Sequence, residues 1–458
     1  MILYYLMPVI FIVGILMIAF EDVIRINKAA TAVGMSILLW LIFLLDAVGI
    51  FSSHPPVHLQ EFLNGFPAFA ELSVSELAYK FIEFRLVESL GDVATTLFFV
   101  LGSMAIIDIV DSHGGFDIIT SMIRTQVERK LLWILSFITF FLSVLLGNLA
   151  TVIVMIAIAR KLIPERNRRL LFSAMIIVAA NAGGCWSPIG DVTTLLLWTG
   201  GNISVVHQMT SLLLPALVML LVPLTVLTFL LPKGGVVLPI EAKEEGPKRK
   251  IDPAFRKRIL IVGLASLAMV PVLQSLIQLP PFMGVLLGLV ALWWMTDRRY
   301  TESEDEELQN LRVHRVFTRV DISTIFFFLG ILMSVNALNA TGQLAILANL
   351  LNQSFSDVNM IALVLGVCSS FLDNVALVSA TMGMYPVAAL GEFACDSSFW
   401  TFLAYCAVTG GSILIIGSAA GVTVMGMEKI SFGYYFKKLT PLVLLGYLAG
   451  AALYLLLF

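Results

Sequence analysis

Asn181-Ala182-Gly183-Gly184-Cys185-Trp186-Ser187-Pro188-Ile189-Gly190-Asp191-Val192-Thr193-Thr194 is the stretch on which the fold turns. It lies inside an apolar run from Leu170 to Trp198, yet it carries three glycines, a proline, an asparagine and an acid. A continuous lipid-facing helix has no use for these residues at mid-depth. Backbone groups freed by such a break are tolerated inside a membrane only when they are buried in protein or line a polar cavity, where half-helix ends and carbonyls hold ions. Residues 181–194 therefore read as half of a binding site.

The composition around that stretch fixes the class. With 458 residues, 59% hydrophobic and 13% charged, and many uncharged runs near 20 residues, the chain reads as an all-α polytopic membrane protein. The first apolar run, 2–20, lacks the basic start and small-residue cleavage site of a secretory signal, so it is expected to stay as a span. A net charge of −3 gives no sign of a nucleic-acid partner. Cys185, Cys368, Cys395 and Cys406 lack metal or disulfide spacing, and His54, His58, His113, His207 and His314 read as solvated loop residues. Without a His-Glu-x-x-His, Walker loop or Gly-x-Ser-x-Gly, the chain is expected to be neither an enzyme nor a cofactor binder.

Ten apolar stretches are long enough to span: 2–20, 29–51, 93–110, 169–199, 208–231, 258–278, 281–296, 321–338, 399–427 and 438–458. Two further runs are split, one at Gly147-Asn148 and one at Asp373-Asn374, into arms that suit re-entrant hairpins over 131–160 and 357–391. Lys and Arg test this layout. Segments 21–28, 124–130, 160–169, 233–258, 298–319 and 429–438 hold 26 of the 28 basic residues, which makes them cytoplasmic and turns both termini outward.

The same map contains a repeat. Thr96, Phe98, Phe99, Gly102 and Gly114 recur at spacing 228 as Thr324, Phe326, Phe327, Gly330 and Gly342. Gly147-Asn148 recurs at 226 as Asp373-Asn374, and Gly183-Gly184 with Gly190 recur at 227 as Gly410-Gly411 with Gly417. Five crossings lie between matching points, so the copies are expected to have inverted topology. The first repeat is read as 1–231, with broken helix 169–199. A cytoplasmic linker follows over 232–257, and the second repeat is 258–458, with broken helix 399–427. Short amphipathic pieces, from Phe116 through Ile119 and Ile123 to Val127 and from Leu344 to Leu351, precede the hairpins.

Four interruptions then converge near mid-membrane: Gly147-Asn148 with Thr151, the break 181–194, Ser369-Ser370 with Asp373-Asn374, and Thr409-Gly410-Gly411-Ser412. Their Asn, Ser and Thr oxygens can replace part of a small cation's water shell, and Asp191 and Asp373 supply the charge. Carboxyls at such depth cost about 2.5–3.5 kcal/mol on insertion scales, which marks them as functional. Asp46, Asp92, Asp111, Glu392 and Glu428 lie near span ends and read as solvated. Asp108, whose repeat partner is the polar Asn336, is a candidate for ion access.

The break 181–194 closely resembles the signature of NhaD-type sodium/proton antiporters of the ion transporter superfamily. The Asp373-Asn374 tip and the run from Gly417 through Val422 to Lys429 are similar to the same family. The resemblance covers most of the chain from Thr95 onward. It implies exchange of Na⁺ or Li⁺ for H⁺ by alternating access, elevator-like, in a homodimer within a bacterial inner membrane. The residues it carries over are Asn148, Thr151, Asn181, Asp191, Thr193, Thr194, Asp373 and Asn374. One departure stands out: the family's first tip commonly reads acid-Asn, whereas Gly147 precedes Asn148 here.

The alternatives are an anion carrier of the same superfamily, for dicarboxylates or an oxyanion, and an intramembrane hydrolase. An anion site favours Ser, Asn and Thr tips at helix N-termini without carboxylates, and a hydrolase needs a nucleophile with a base at depth. Asp191 and Asp373 argue against the first. The absence of a histidine within the apolar runs argues against the second.

Overall fold

The computed structural model describes residues 2–19, 21–56, 58–118, 123, 125, 127–231, 251–301, 303, 305–355 and 357–458. Most of the expected linker (232–250), Ile119 of the first amphipathic piece, and Glu302 and Glu304 of the acidic run lie outside the described residues. The principal helices are α1 (Ile2–Ala19), α2 (Lys28–Leu45), α3 (Val74–Ser112), α4 (Glu128–Leu146), α5 (Asn148–Leu162), α6 (Arg166–Cys185), α7 (Val192–Thr199), α8 (Val205–Leu230), α9 (Pro253–Ile277), α10 (Pro281–Tyr300), α11 (Ile322–Ala340), α12 (Gln343–Ser354), α13 (Val358–Cys368), α14 (Asn374–Met384), α15 (Ser398–Gly410), α16 (Ala419–Glu428) and α17 (Thr440–Leu457). Among the described residues no strand forms.

Seven of these, α2, α3, α4, α8, α9, α11 and α17, are long and apolar enough to cross a membrane, or eight spans if the bent pair α12–α13 counts as one. Six of the seven fall on the ten apolar stretches and the seventh, α4, is an arm of a split run; of the other four stretches, 169–199 and 399–427 are broken into half-helices, and 2–20 and 281–296 form the shorter or less apolar α1 and α10. Helix α3 is longer than its apolar stretch. It begins at Val74, and the exposed pairs Lys80–Glu83 (3.0 Å) and Arg85–Glu88 (2.6 Å) line its polar first half at helical spacing. Helix α4 gains a turn at its start by including Glu128, Arg129 and Lys130, so the first arm is 19 residues long and passes the spanning criteria by itself.

The chain divides into two compact units. The first comprises Met1–Leu97, Asp321–Ile361 and Val375–Ala394. Its centre is the α2–α11 contact, which is backbone-close because Gly330 has no side chain: a Cβ there would lie 2.4 Å from Ala32 C and Val33 N. Trp40 Nε1 donates to Met333 O across the same seam at 3.0 Å. Of the three consecutive phenylalanines on α11, Phe326 faces outward, while Phe327 and Phe328 are buried.

The second unit comprises Phe98–Val320, Ala362–Asn374 and Cys395–Phe458. Residues Phe172 to Cys185 of α6 and Phe399 to Gly410 of α15 are buried without exception, and the two helices pack on each other. Helices buried all round belong to a protein interior, which is where a break can be tolerated. Around them, matched contacts recur. Ser143 Oγ donates to Ala180 O at 2.6 Å, and Ser369 Oγ to Ala407 O at 2.7 Å. A Cβ on Gly183 would meet Phe140 O at 2.1 Å, and one on Gly410 would meet Gly366 O at 2.0 Å. These partners stand 226 or 227 residues apart in sequence.

Two expectations fail here. His113 is fully buried, not solvated: α3 ends at Ser112, Gly114 takes φ 71°, and Gly115 N bonds back to Val110 O at 2.9 Å, turning the imidazole onto Phe255 and Tyr300. Glu428 is 2% exposed, because Arg160 Nε (2.6 Å) and Arg169 Nε (2.8 Å) pair with its two oxygens. Helices from distant parts of the sequence supply those arginines.

Candidate functional site

All the candidate residues belong to the second unit, and the site is assembled from helix ends. Helix α6 stops at Cys185, and α7 restarts at Val192 with Asp191 as its N-cap. The cap is reciprocal: Asp191 Oδ1 accepts from Thr193 N at 2.7 Å, and Thr194 Oγ1 accepts from Asp191 N at 3.2 Å. The turn between the half-helices needs Gly184 and Gly190, since a Cβ on either would lie 2.5 Å from the other's carbonyl oxygen. The Asp191 carboxylate thus sits at the positive end of α7, 5% exposed.

Two amides converge on it, and a third is linked through one of them. Asn148, the first residue of α5, donates Nδ2 to Asp191 Oδ2 and also to Asn181 Oδ1 at 2.9 Å. Asn374, the first residue of α14, donates Nδ2 to both Asp191 oxygens at 3.3 Å. Asn181 extends the chain to the other break, donating Nδ2 to Ser412 Oγ at 2.8 Å and to Ser418 Oγ at 3.0 Å. Asp373 stands close enough for its charge to repel that of Asp191.

Two hydroxyls on the same elements, Thr151 Oγ1 and Thr193 Oγ1, are fully buried and have no hydrogen-bond partner among the described residues. Orphaned oxygens beside a buried carboxylate are the ligands a small dehydrated cation uses. Among the described residues no cluster of three His, Cys, Asp or Glu side chains could hold a metal, so carboxylates, amides and hydroxyls are the available donors.

Other expected residues are hydrogen-bonded within the helical framework. Thr194 Oγ1 is occupied by Ser187 O at 2.8 Å besides its capping bond. Ser369 ties α13 to α15, and Thr409 Oγ1 bonds within its own helix to Tyr405 O at 2.6 Å. Ser412 joins the chain through Asn181. Asp108 makes no hydrogen bond with this group: it is half-buried on α3, and its charged neighbours are Arg319 and Asp111. Sequence reasoning passed over Ser418. It caps α16 by accepting from Gly421 N at 3.1 Å, and it is the residue 227 after Asp191, so the repeat spacing would have found it.

Gly147 has a backbone reason to lack a side chain. It holds φ 77° and ψ 157° between α4 and α5, a conformation open essentially only to glycine. Its counterpart Asp373 has no positive φ and can carry a carboxylate.

A family model described as a citrate transporter (CitMHS) matches residues 1–400. Sodium/proton antiporter 1 of Arabidopsis thaliana is 41% identical over 98% of this chain and 72% of its own length, and sodium/proton antiporter 2 of the same plant is 37% identical over 98% of both. The Na(+)/H(+) antiporter NhaD of Alkalimonas amylolytica is 29% identical over 97% of this chain and 89% of its own length.

Proposed function

The chain belongs to the citrate-transporter (CitMHS) family, and from that premise we propose that it is a sodium/proton antiporter, exchanging Na⁺ or Li⁺ for H⁺. The Asp191 carboxylate carries this reading: it is buried among neutral amides, has orphaned hydroxyls on neighbouring turns, and lies near a second carboxylate, Asp373. Burial disfavours the ionised form of a carboxyl, whereas a bound cation favours it. One group can then hold either a proton or a sodium ion, but not both. Asp191 and Asp373 titrate as a coupled pair in this scheme, so the proton belongs to the pair. Asn148 and Asn374 suit both states, because an amide can turn an N–H to a bare carboxylate or its oxygen to a cation beside it.

The transport cycle we infer is alternating access by an elevator-like movement, supported by the confinement of all the site residues to one compact unit. Inverted repeats over 1–231 and 258–458, with re-entrant hairpins at 131–160 and 357–391, are supported by the recurring contacts of Ser143 and Ser369 and by the one-residue turn at Gly147. Basic-residue asymmetry supports outward termini, and a bacterial cytoplasmic membrane and a homodimer are the location and assembly we propose. Labelling tests the topology: a cysteine at Arg160 is expected to react only from the cytoplasmic side and one at Asp357 only from outside.

The second reading, an anion carrier, has the description of the family model in its favour. Two adjacent carboxylates oppose it, since a citrate-like anion would meet repulsion where it needs donors. Purified protein in liposomes, loaded with a pH-sensitive dye, decides between them. Proton movement on adding Na⁺ or Li⁺, and none with K⁺ or succinate, is the expected outcome. Saturable citrate or succinate uptake without cation/proton exchange would transfer the function to the anion carrier.

A further inference from the structure

We infer that Gln208 and Tyr435 are positioning residues of the ion site, a matched pair of clamps that hold the carbonyl ends left open where α6 and α15 break. Gln208 Nε2 donates to Cys185 O at 3.0 Å, and Tyr435 Oη donates to Ser412 O at 2.7 Å. In both cases donor and acceptor are 23 residues apart, and both clamp residues are fully buried. Gln208 and Tyr435 are separated by 227 residues, as are Cys185 and Ser412. The device therefore occurs once at each break, built with different side chains.

Its physical purpose follows from the break. The last carbonyls of a half-helix have no partner within the helix, and in a membrane protein's interior no bulk water can replace one. A donor from a neighbouring element fixes both the carbonyl and the turn that precedes it. On the first side that turn carries Asn181, four residues before Cys185. On the second side the clamped residue is Ser412 itself, whose hydroxyl accepts from Asn181, which in turn accepts from Asn148, the donor to Asp191. Neither clamp is placed on the ion by these contacts; each acts through the amide chain that orients the carboxylate. The clamps differ in one respect: Gln208 Oε1 has no hydrogen-bond partner among the described residues, so this amide is oriented by the Cys185 bond at its other end.

The inference rests on the antiport reading for its effect on transport and on local geometry for the clamp itself, so two measurements separate them. The variants are Tyr435→Phe, which removes only the hydroxyl, Gln208→Met, which keeps the length without a donor, and Gln208→His, which can still donate. In proteoliposomes, Tyr435→Phe and Gln208→Met are expected to raise the KM for Na⁺ roughly three- to tenfold, with maximal rates within about twofold of the parent, and Gln208→His to recover part of the loss. Hydrogen–deuterium exchange is expected to quicken in 181–194 for Gln208→Met and in 408–421 for Tyr435→Phe, each at its own break. Unchanged exchange at both breaks overturns the clamps. Faster local exchange with an unchanged KM overturns their positioning role. If the parent moves no protons with Na⁺ while the local exchange changes appear, the antiport reading fails and the clamps stand. Should one variant fail to insert, the other gives the same readings at its own break.

Discussion

The two breaks of the second unit share a scaffold and differ in where they carry charge. The Ser143 and Ser369 ties, the Gly183 and Gly410 contacts and the capped restarts at Asp191 and Ser418 correspond position by position. Charge does not follow that correspondence. The first half places its acid at the break, Asp191, and glycine at the tip, Gly147; the second half places its acid at the tip, Asp373, and a serine at the break, Ser418. One carboxylate per half thus reaches one locus. Four carboxylates there would repel strongly in a poorly screened interior, whereas two can be balanced by a cation or by a proton. In the proposed exchange the matched contacts supply rigidity, and the unmatched residues supply the chemistry.

The harshest way to break this comparison is to remove either charge. Asp191→Asn and Asp373→Asn keep the size of the side chain and remove its charge, and each is expected to lower Na⁺-driven proton exchange on the order of a hundredfold or more while the protein still inserts. Glu in either place should retain some exchange with weaker apparent Na⁺ affinity. Dye dequenching across pH 6 to 9 at matched expression reads this out, and near-normal exchange by both Asn variants would redirect the search to Asp108 or Asp46.

A second asymmetry lies at the ends of the restarted helices. α16 ends at Glu428, held by Arg160 and Arg169, while α7 ends at Thr199 before Gly200 and Gly201, without an acid. Glu428→Gln is expected to cost about 3 kcal/mol, the low end for breaking a buried pair, because Arg160 is 45% exposed and can be hydrated. Thermal unfolding in detergent measures it; an unchanged midpoint would show that the arginines find other partners.

Restoring an acid at the first tip tests whether its absence is structural. Gly147→Asp is expected to destabilise by about 1–3 kcal/mol, since the side chain must adopt a glycine backbone conformation. A variant as stable as the parent, with higher Na⁺ affinity, would mean that the tip can relax and that a third carboxylate is tolerated. The smallest effect sharpens the shared scaffold. Ser143→Ala and Ser369→Ala are expected to lose about 1 kcal/mol each, and to nearly equal extents, because each removes one buried interhelical hydrogen bond. A marked difference between their unfolding midpoints would show that the two halves bear unequal load.

Much of this protein was determined by the sequence alone. Apolar runs of spanning length, glycines and proline within one of them, and the 226–228 spacing made the membrane class, the breaks and the acids at Asp191 and Asp373 legible, because lipid punishes polar backbone so severely that exceptions are informative. Only the tertiary structure decided which oxygens meet. Thr151 and Thr193 are left orphaned while Thr194, Ser369 and Thr409 are engaged in the scaffold, and no residue type distinguishes these cases. His113 and Glu428 looked solvated from their positions near span ends, and a turn at Gly114 and two arginines from other helices buried them. The reason is physical: burial at a helix end is set by what packs over it, and those partners lie far along the chain, where local pattern carries no record of them.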